Sequence, residues 1–282
     1  MHFINIYFLS FTNRKFLLKT NWSLMMVLSM FFYKLEASSL TPKPVRQQDY
    51  QIQSDAEAFV HEWLYNYYEK PTRPEIEMAT KKLTKMLDTF QHRKSLYSTE
   101  EEWLKDIFYQ VHEKYLKCYK SYSTVPDLFE QGNYDCVSGT ALYALICELL
   151  YIPYVIRETE YHVYLLALVD GKKVLIESTD PVYGFVSQAD TVQRLMKEYQ
   201  EEGSSRHGIH EATNSTVDWI QLAGLQYFNK AVLFYNRKNF QDALFYLNKA
   251  MQYYMSDRIT SFKKSILQIR ATYPKTQVLK SK

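Results

Sequence analysis

Apolar residues recur at helical spacing in three segments of the first half of the chain. The first segment begins at Ser54, and an acidic residue three positions further on completes a capping-box signature. The second segment covers about 74–91, and the third starts at Ser98. We therefore expect residues 54–125 to form a helical N-terminal part that serves as a scaffold.

The spacing of apolar residues changes from helical to strand-like within the next segment, 126–205. The predicted elements are, in order, a short connection over 128–134, a helix over 136–150, and strands over 154–158, 162–169 and 173–178. A tight turn at Asp170-Gly171-Lys172 joins the last two strands. A helix followed by antiparallel strands predicts an α+β class, with the helix packed on a small antiparallel sheet.

Helical spacing returns over 189–202 and, after a polar loop over 203–215, in two segments joined by a turn at 237–239. Alanines on the two segments allow close helix approach, at Ala231, Ala243 and Ala250. The pattern resembles one tetratricopeptide unit. Since a single unit cannot bury its own apolar face, we expect residues 216–275 to form a helical hairpin that caps the core. A peptide-binding groove would need more repeats.

Composition supports a helix-rich fold. The 282 residues are 46% hydrophobic and include only seven glycines and eight prolines, which is few for an all-β architecture with many turns. The net charge of +3 is contained in residues 1–39, so the rest of the chain is neutral. A neutral body has no basic surface of the kind that binds nucleic acid, and we expect no such partner.

The leader, residues 1–39, has the order of a secretory signal peptide: basic residues, an apolar run over 22–33, and small residues at its end. The run is about 12 residues long, below the roughly 20 that a stable membrane span needs. A polar, proline-containing stretch over 40–53 follows and predicts a linker. These features predict an exported protein, periplasmic or extracellular, although an earlier apolar stretch allows a start codon further along the chain.

The three cysteines, Cys118, Cys136 and Cys147, are too few for a disulfide framework and leave at least one thiol unpaired. Cys136 stands at the start of a predicted helix, where the positive end of the helix dipole favours a thiolate. An isolated cysteine at such a place is usually a small buried residue. The downstream residues His162 and Glu177 change this interpretation, because the hairpin turn predicts that they lie opposite each other and project towards the Cys136 helix.

These residues resemble the core of the transglutaminase-like (papain-related) superfamily. The resemblance covers about 131–181 and rests on Asp135-Cys136, Ile152-Pro153, His162-Val163-Tyr164 and Val174-Leu175-Ile176-Glu177-Ser178-Thr179. It implies acyl transfer on peptide or amide bonds through a thioester, as a hydrolase or a transglutaminase. Cys136 would attack, His162 would shuttle the proton, and Glu177 would hold the imidazole.

The chain departs from the family pattern in two places. The third family residue is normally aspartate, so Asp180 is the alternative to Glu177 if the strand register differs, and Tyr164 stands where the family has tryptophan. These departures favour the second hypothesis, a catalytically inactive scaffold that binds protein or peptide. For an oxyanion, the default donor is the backbone N–H of Cys136, and the Gln131 side chain is a second candidate.

Other ligand classes have weak support in the sequence. There is no glycine-rich phosphate loop and no Cys-x-x-Cys pair, and the histidines at His207 and His210 lack the spacing of a helical zinc motif. We therefore expect no metal and no cofactor. The expected partners are a peptide or protein substrate and a protein that binds the C-terminal helices.

Overall fold

The computed structural model describes residues 48–207 and 214–272, and side chains over 57–201 and 215–271. The chain divides after Gln51, and the unit Ile52–Lys282 carries the fold described below. Helices and a five-stranded sheet make it an α+β protein at a coarse level. Within the described residues, no helix has both the length and the apolar character needed to cross a membrane. The predicted signal peptide, 1–39, and His210 lie outside these residues.

The N-terminal helices are α1 (Gln48–Tyr67), α2 (Arg73–Arg93) and α3 (Glu100–Lys114), with a short 3-10 turn, Lys94–Leu96, after α2. The predicted start of the first helix is wrong, because α1 begins inside the expected linker and Ser54 lies in its interior. Residues 48–53 contain neither glycine nor proline, so nothing in them stops a helix. Thr99 caps α3 by accepting a hydrogen bond from the Glu102 N–H at 3.1 Å.

The connection predicted over 128–134 is also wrong, since a helix, α4, covers Val125–Gln131. Thr124 caps it, and the Thr124 N–H donates to Asp127 Oδ2 at 2.8 Å in a capping box. The helix ends at Gly132, whose φ of 76° is the left-handed value that glycine adopts easily. Two short parallel strands flank it, β1 (Cys118–Tyr119) and β2 (Asn133–Tyr134).

The main sheet is antiparallel with the strand order β6-β5-β4-β3-β7. Its strands are β3 (Tyr154–Thr159), β4 (Val163–Val169), β5 (Lys172–Ile176), β6 (Phe185–Val186) and β7 (Asn214–Val217). Helix α5 (Cys136–Leu149) packs with Val163, Leu165 and Ile176 on one face. Helix α6 (Ala189–His207) packs on the alternate residues Tyr164, Leu166 and Leu175 of the other face. The edge strands β6 and β7 were not predicted.

The β4–β5 hairpin has a two-residue turn, Asp170-Gly171, because Val169 pairs directly with Lys172. Both turn residues have positive φ, 49° and 71°, as the tight turns that match strand twist require. The expected three-residue turn is therefore wrong. Leu165 pairs with Ile176, and continuing that register puts Glu177 opposite Tyr164 rather than opposite His162.

The C-terminal helices are α7 (Trp219–Asn236), α8 (Phe240–Tyr253) and α9 (Asp257–Thr272). The first half of α7 belongs to the main core, and its second half forms a smaller core with α8 and α9. Ala231, Ala243 and Ala250 are fully buried in this smaller core. Gln226 ties α7 to two earlier helices: its Nε2 donates to the Tyr67 carbonyl at 2.8 Å, and its Oε1 accepts from the Val125 N–H at 2.7 Å. Helix α7 is thus part of the main core and also of the C-terminal helical segment.

We expect Gln226→Leu to lower the free energy of unfolding by about 2–4 kcal/mol, because leucine leaves the buried Tyr67 carbonyl and Val125 N–H without partners. Urea denaturation measures the change. The control is Gln252→Leu, at an exposed position of α8, which should change stability by less than about 0.5 kcal/mol. Equal effects of the two variants would contradict the bridging role of Gln226.

Candidate active site

The first turn of α5 is fixed by a buried carboxylate. Asp135 is the N-cap of the helix, and its Oδ1 accepts from the Ser138 N–H at 2.8 Å and from the Ser138 hydroxyl at 2.9 Å. Its other oxygen, Oδ2, accepts from Asn229 Nδ2 on α7 at 3.1 Å. Burial raises the pKa of Asp135 to about 6, although the hydrogen bonds from Ser138 and Asn229 oppose this shift. Cys136, the next residue, is partly exposed.

His162 lies just before β4, and its backbone is held by the neighbouring strand end. The Thr159 N–H donates to the His162 carbonyl at 2.8 Å, and the His162 N–H donates to Thr159 Oγ1 at 3.2 Å. The ring nitrogen Nε2 forms a hydrogen bond with Glu177 Oε2. Because Nε2 is engaged in this way, Nδ1 is the nitrogen left for the thiol.

Glu177 follows β5 and is buried with both carboxylate oxygens engaged. Oε2 meets His162, while Oε1 accepts from the Thr179 N–H at 2.9 Å and from the Thr179 hydroxyl at 2.6 Å. The register makes His162 and Glu177 diagonal rather than opposite neighbours, at a separation that only long side chains bridge. The longer side chain of glutamate is suited to this diagonal.

Asp180, the alternative third residue, has a different role in the structure. Its Oδ1 accepts from the N–H groups of Val182 and Tyr183 at 3.0 and 2.8 Å, which stabilises the loop after β5. The loop is closed by the Gly184 carbonyl, which accepts from the Glu177 N–H at 2.8 Å. The carboxylate of Glu177, not that of Asp180, therefore contacts the imidazole.

His162 reaches α5 only at its first residue, Cys136, because other residues occupy the face of the sheet that packs on this helix. Strand alternation gives that face to Val163 and Ile176, and His162 instead contacts tyrosines on the α6 side. Its ring centroid is 5.1 Å from that of Tyr199 and 6.4 Å from that of Tyr164. His162 lies one residue before the start of β4. At this position it is near enough to Cys136 for the thiol to affect the pKa of the imidazole.

Charge is stabilised on both members of the His162–Glu177 pair. Burial disfavours a charged imidazole, but interactions with Cys136 and Glu177 outweigh burial and raise the pKa of His162 to about 10. Burial also acts on Glu177, and the hydrogen bonds from His162 and Thr179 overcome it and lower the pKa of that carboxyl. At neutral pH the pair is therefore an imidazolium and a carboxylate.

Close approach of α5 to the end of β5 depends on Gly139. A Cβ atom at this position would lie 2.7 Å from Ser178 Oγ and 2.8 Å from Ser178 Cβ, well inside van der Waals contact. The Ser178 hydroxyl in turn lies 3.5 Å from the Cys136 carbonyl. A glycine in the first turn thus lets the thiol-bearing helix approach the segment that carries Glu177.

The two predicted oxyanion donors differ in their surroundings. Gln131 is exposed at the end of α4, where its Oε1 accepts from Asn133 Nδ2 at 2.9 Å, and its role as a donor stays a prediction. The first-turn amides of Val137 and Ser138 are taken by the Asp135 side chain, and the Gly139 amide by its carbonyl. Among the described residues no acceptor is found for the Cys136 N–H, which leaves it available to a ligand.

A cavity of about 470 Å³ lies on the α6 side of the carboxylate. Its lining includes Glu177 and Tyr199, together with Lys105, Tyr109, Tyr183 and Arg194. Cys136 and His162 do not line it. Tyr199 could not be predicted as a site residue, because its segment has only a helical pattern and its contact with His162 joins residues far apart in the chain.

Comparison of the chain with models of protein families, with curated proteins and with solved structures found no match in any of the three. The class of site therefore rests on its own geometry. That geometry is a cysteine at a capped helix start, a histidine beside it and a buried carboxylate on the far side of the histidine.

We expect Gly139→Ala to destabilise the protein by about 1–3 kcal/mol, because the added methyl group overlaps Ser178. Alanine would otherwise stabilise a helix by about 1 kcal/mol relative to glycine, so the sign of the change is informative. Urea denaturation measures it. In a Ser178→Gly background, Gly139→Ala should cost less stability than it does in the wild type. A Gly139→Ala variant as stable as the wild type would contradict the overlap.

We expect Glu177→Gln to lower the pKa of His162 from about 10 towards its ordinary 6.5. The raised pKa of His162 contributes stability that is complete below pH 6.5 and is lost as pH rises to about 10. The lowered pKa of Glu177 contributes stability above its ordinary 4.5 that is lost as pH falls below that value. The stability difference between wild type and variant should therefore be largest between these two ordinary values.

NMR titration of the His162 ring and urea denaturation as a function of pH measure the two effects. Glu198→Gln is the control, since Glu198 forms an exposed ion pair with Arg194. A stability difference that does not vary with pH would contradict the charged pair.

Proposed function

We propose that this protein catalyses cysteine-dependent acyl transfer on peptide or amide bonds through a thioester, as a hydrolase or a transglutaminase. One observation carries the proposal: the ring of His162 is held by the buried carboxylate of Glu177 and is close enough to Cys136 for the two side chains to interact. A cysteine that serves only as a small buried residue does not require a nearby histidine whose orientation is fixed in this way.

In the proposed reaction, His162 is the imidazolium that holds the proton taken from Cys136, and the thiolate sulfur attacks the carbonyl carbon of the substrate. The oxyanion that forms accepts a hydrogen bond from the Cys136 N–H. The carbon–nitrogen bond then breaks, and the departing amine takes the proton from His162, which leaves a thioester on Cys136. Water or a second amine attacks the thioester while His162 takes its proton, and the sulfur leaves as a thiolate beside the imidazolium that has formed again. Glu177 holds the imidazole throughout.

The order of the elements supports a transglutaminase-like core. Cys136 begins a helix, His162 precedes a strand, and the carboxylate follows the next strand of the same antiparallel sheet. In this proposal, α5 on the sheet is the nucleophile layer, α1–α3 are the N-terminal scaffold, and α7 and α8 are the tetratricopeptide-like hairpin. Glu177 takes the place of the family aspartate. The proposed location is outside the cytoplasm, through the leader at 1–39.

One observation favours a second function, a catalytically inactive scaffold that binds peptide or protein. The cavity of about 470 Å³ lies beside Glu177 and Tyr199 and is not lined by Cys136 or His162. A ligand held there would be separated from the thiol. Tyr164, in place of the family tryptophan, agrees with this second function. The reactivity of Cys136 distinguishes the two.

We expect Cys136 to react with iodoacetamide at pH 6 at least about tenfold faster than Cys118, because a neighbouring imidazolium and a helix N-terminus both favour the reactive form of a cysteine. Mass spectrometry of each cysteine-containing peptide measures the rates within one sample. Cys118 is an exposed internal standard, while burial raises the pKa of Cys147 to about 12 and should make it unreactive.

The variant control is His162→Ala, which should reduce the rate at Cys136 to that at Cys118. Cys136 reacting no faster than Cys118 in the wild type would overturn the catalytic proposal. If Cys136 is reactive, incubation with peptides and a set of amines, followed by mass measurement, separates hydrolysis from amine transfer. Cys136→Ala should abolish both products.

A further inference from the structure

The C-terminal helices contact the residue that caps the helix of the candidate nucleophile. Asn229 lies on α7 and donates a hydrogen bond of 3.1 Å to Asp135 Oδ2, the outer oxygen of the buried N-cap of α5. The inner oxygen of the same carboxylate fixes Ser138 in the first turn. The residue that caps the Cys136 helix is thus held by a side chain 94 positions later in the chain.

The same helices also contact the segment that carries His162. Arg258, on α9, donates from Nη2 to Glu158 Oε1 at 2.6 Å and from Nη1 to the Glu160 carbonyl at 2.5 Å. The Tyr254 hydroxyl donates to Glu158 Oε2 at 2.8 Å, so both oxygens of this buried carboxylate are engaged. The next residue, Thr159, holds the backbone of His162.

These two contacts belong to one packed body. Helices α7, α8 and α9 share a core that includes Tyr227, Leu247 and Ile259, and the guanidinium of Arg258 lies 4.9 Å from the Phe228 ring, one residue from Asn229. A shift of this body would therefore move the N-cap of α5 and the β3–β4 turn together. Contacts that orient reactive groups from behind commonly change activity by tenfold or more when removed.

We propose that the C-terminal helices act as a clamp that sets the position of Cys136 relative to His162, with Asn229 and Arg258 as the positioning residues. Asn229 acts through Asp135, and Arg258 acts through the turn Glu158-Thr159-Glu160. The inference rests on the proposed function, because it takes Cys136 and His162 to be the reactive pair.

The test uses the full chain with Asn229→Leu, Arg258→Met and the double variant. We expect each single variant to lower the rate of Cys136 alkylation at pH 6 by about tenfold and to move its pH–rate profile, because the thiol and the imidazole no longer meet in one geometry. The effects should not add in the double variant, since both act on one distance. Arg258→Lys should restore part of the rate.

Matched controls remove similar contacts elsewhere. Asn236→Leu, also on α7, removes an exposed hydrogen bond to the Tyr122 hydroxyl, and Arg73→Met removes an exposed ion pair with Glu77. Neither should change the rate by more than twofold. Where a clamp variant fails to fold, Tyr254→Phe removes only one hydroxyl from Glu158 and should still slow alkylation at least about threefold.

Three results would overturn the clamp: unchanged rates in the variants, equal losses in the controls, or lower stability with an unmoved pH–rate profile. Failure of the proposed function is seen separately, as a wild-type Cys136 that reacts no faster than Cys118. In that case NMR titration of His162 still tests the clamp. The clamp predicts a changed imidazole pKa in both single variants, and an unchanged pKa in both would overturn it.

Discussion

The carboxylate of Asp135 is the constraint on which the candidate site depends. It is buried, it satisfies the first turn of α5 through Ser138, and it receives Asn229 from a helix formed by a distant part of the chain. A helix start beneath a core must have its free N–H groups paired, and here the pairing leaves the Cys136 N–H available. One buried residue thus fixes both the position of the thiol and the donor beside it.

The hairpin after α5 explains why the third residue is a glutamate. The two-residue turn sets a register in which Tyr164, not His162, is opposite the residue after β5. A short aspartate at position 177 would end before the diagonal is crossed, whereas glutamate reaches His162 and retains an oxygen for Thr179. Turn geometry therefore determines the length of side chain that the site needs.

Local signals in the sequence predicted the elements that carry the site and could not predict how they meet. The helix at Cys136 and the Asp170-Gly171 hairpin follow from capping, periodicity and turn residues, whereas α4 was missed although Thr124-x-x-Asp127 is a capping-box signal. The predicted register was wrong by two residues, because it centred the turn between Val169 and Asp170, whereas the observed turn is centred between Asp170 and Gly171. Tyr199, Asn229 and Arg258 have no local signal, since their importance comes only from contacts across the chain. The catalytic roles stay predictions.

Three buried carboxylates hold the elements that carry Cys136 and His162: Asp135 caps the Cys136 helix, Glu177 holds the histidine, and Glu158 lies at the end of the strand that leads to it. A buried charge is costly unless it is fully paired, and apolar residues of similar size often stabilise a core equally well. Each of these carboxylates has both oxygens engaged, and each set of partners leads to Cys136 or His162. A core selected only for stability has no need of this arrangement. The proposed positioning of a cysteine against a histidine would use it, because reactivity depends on separations of a few tenths of an ångström.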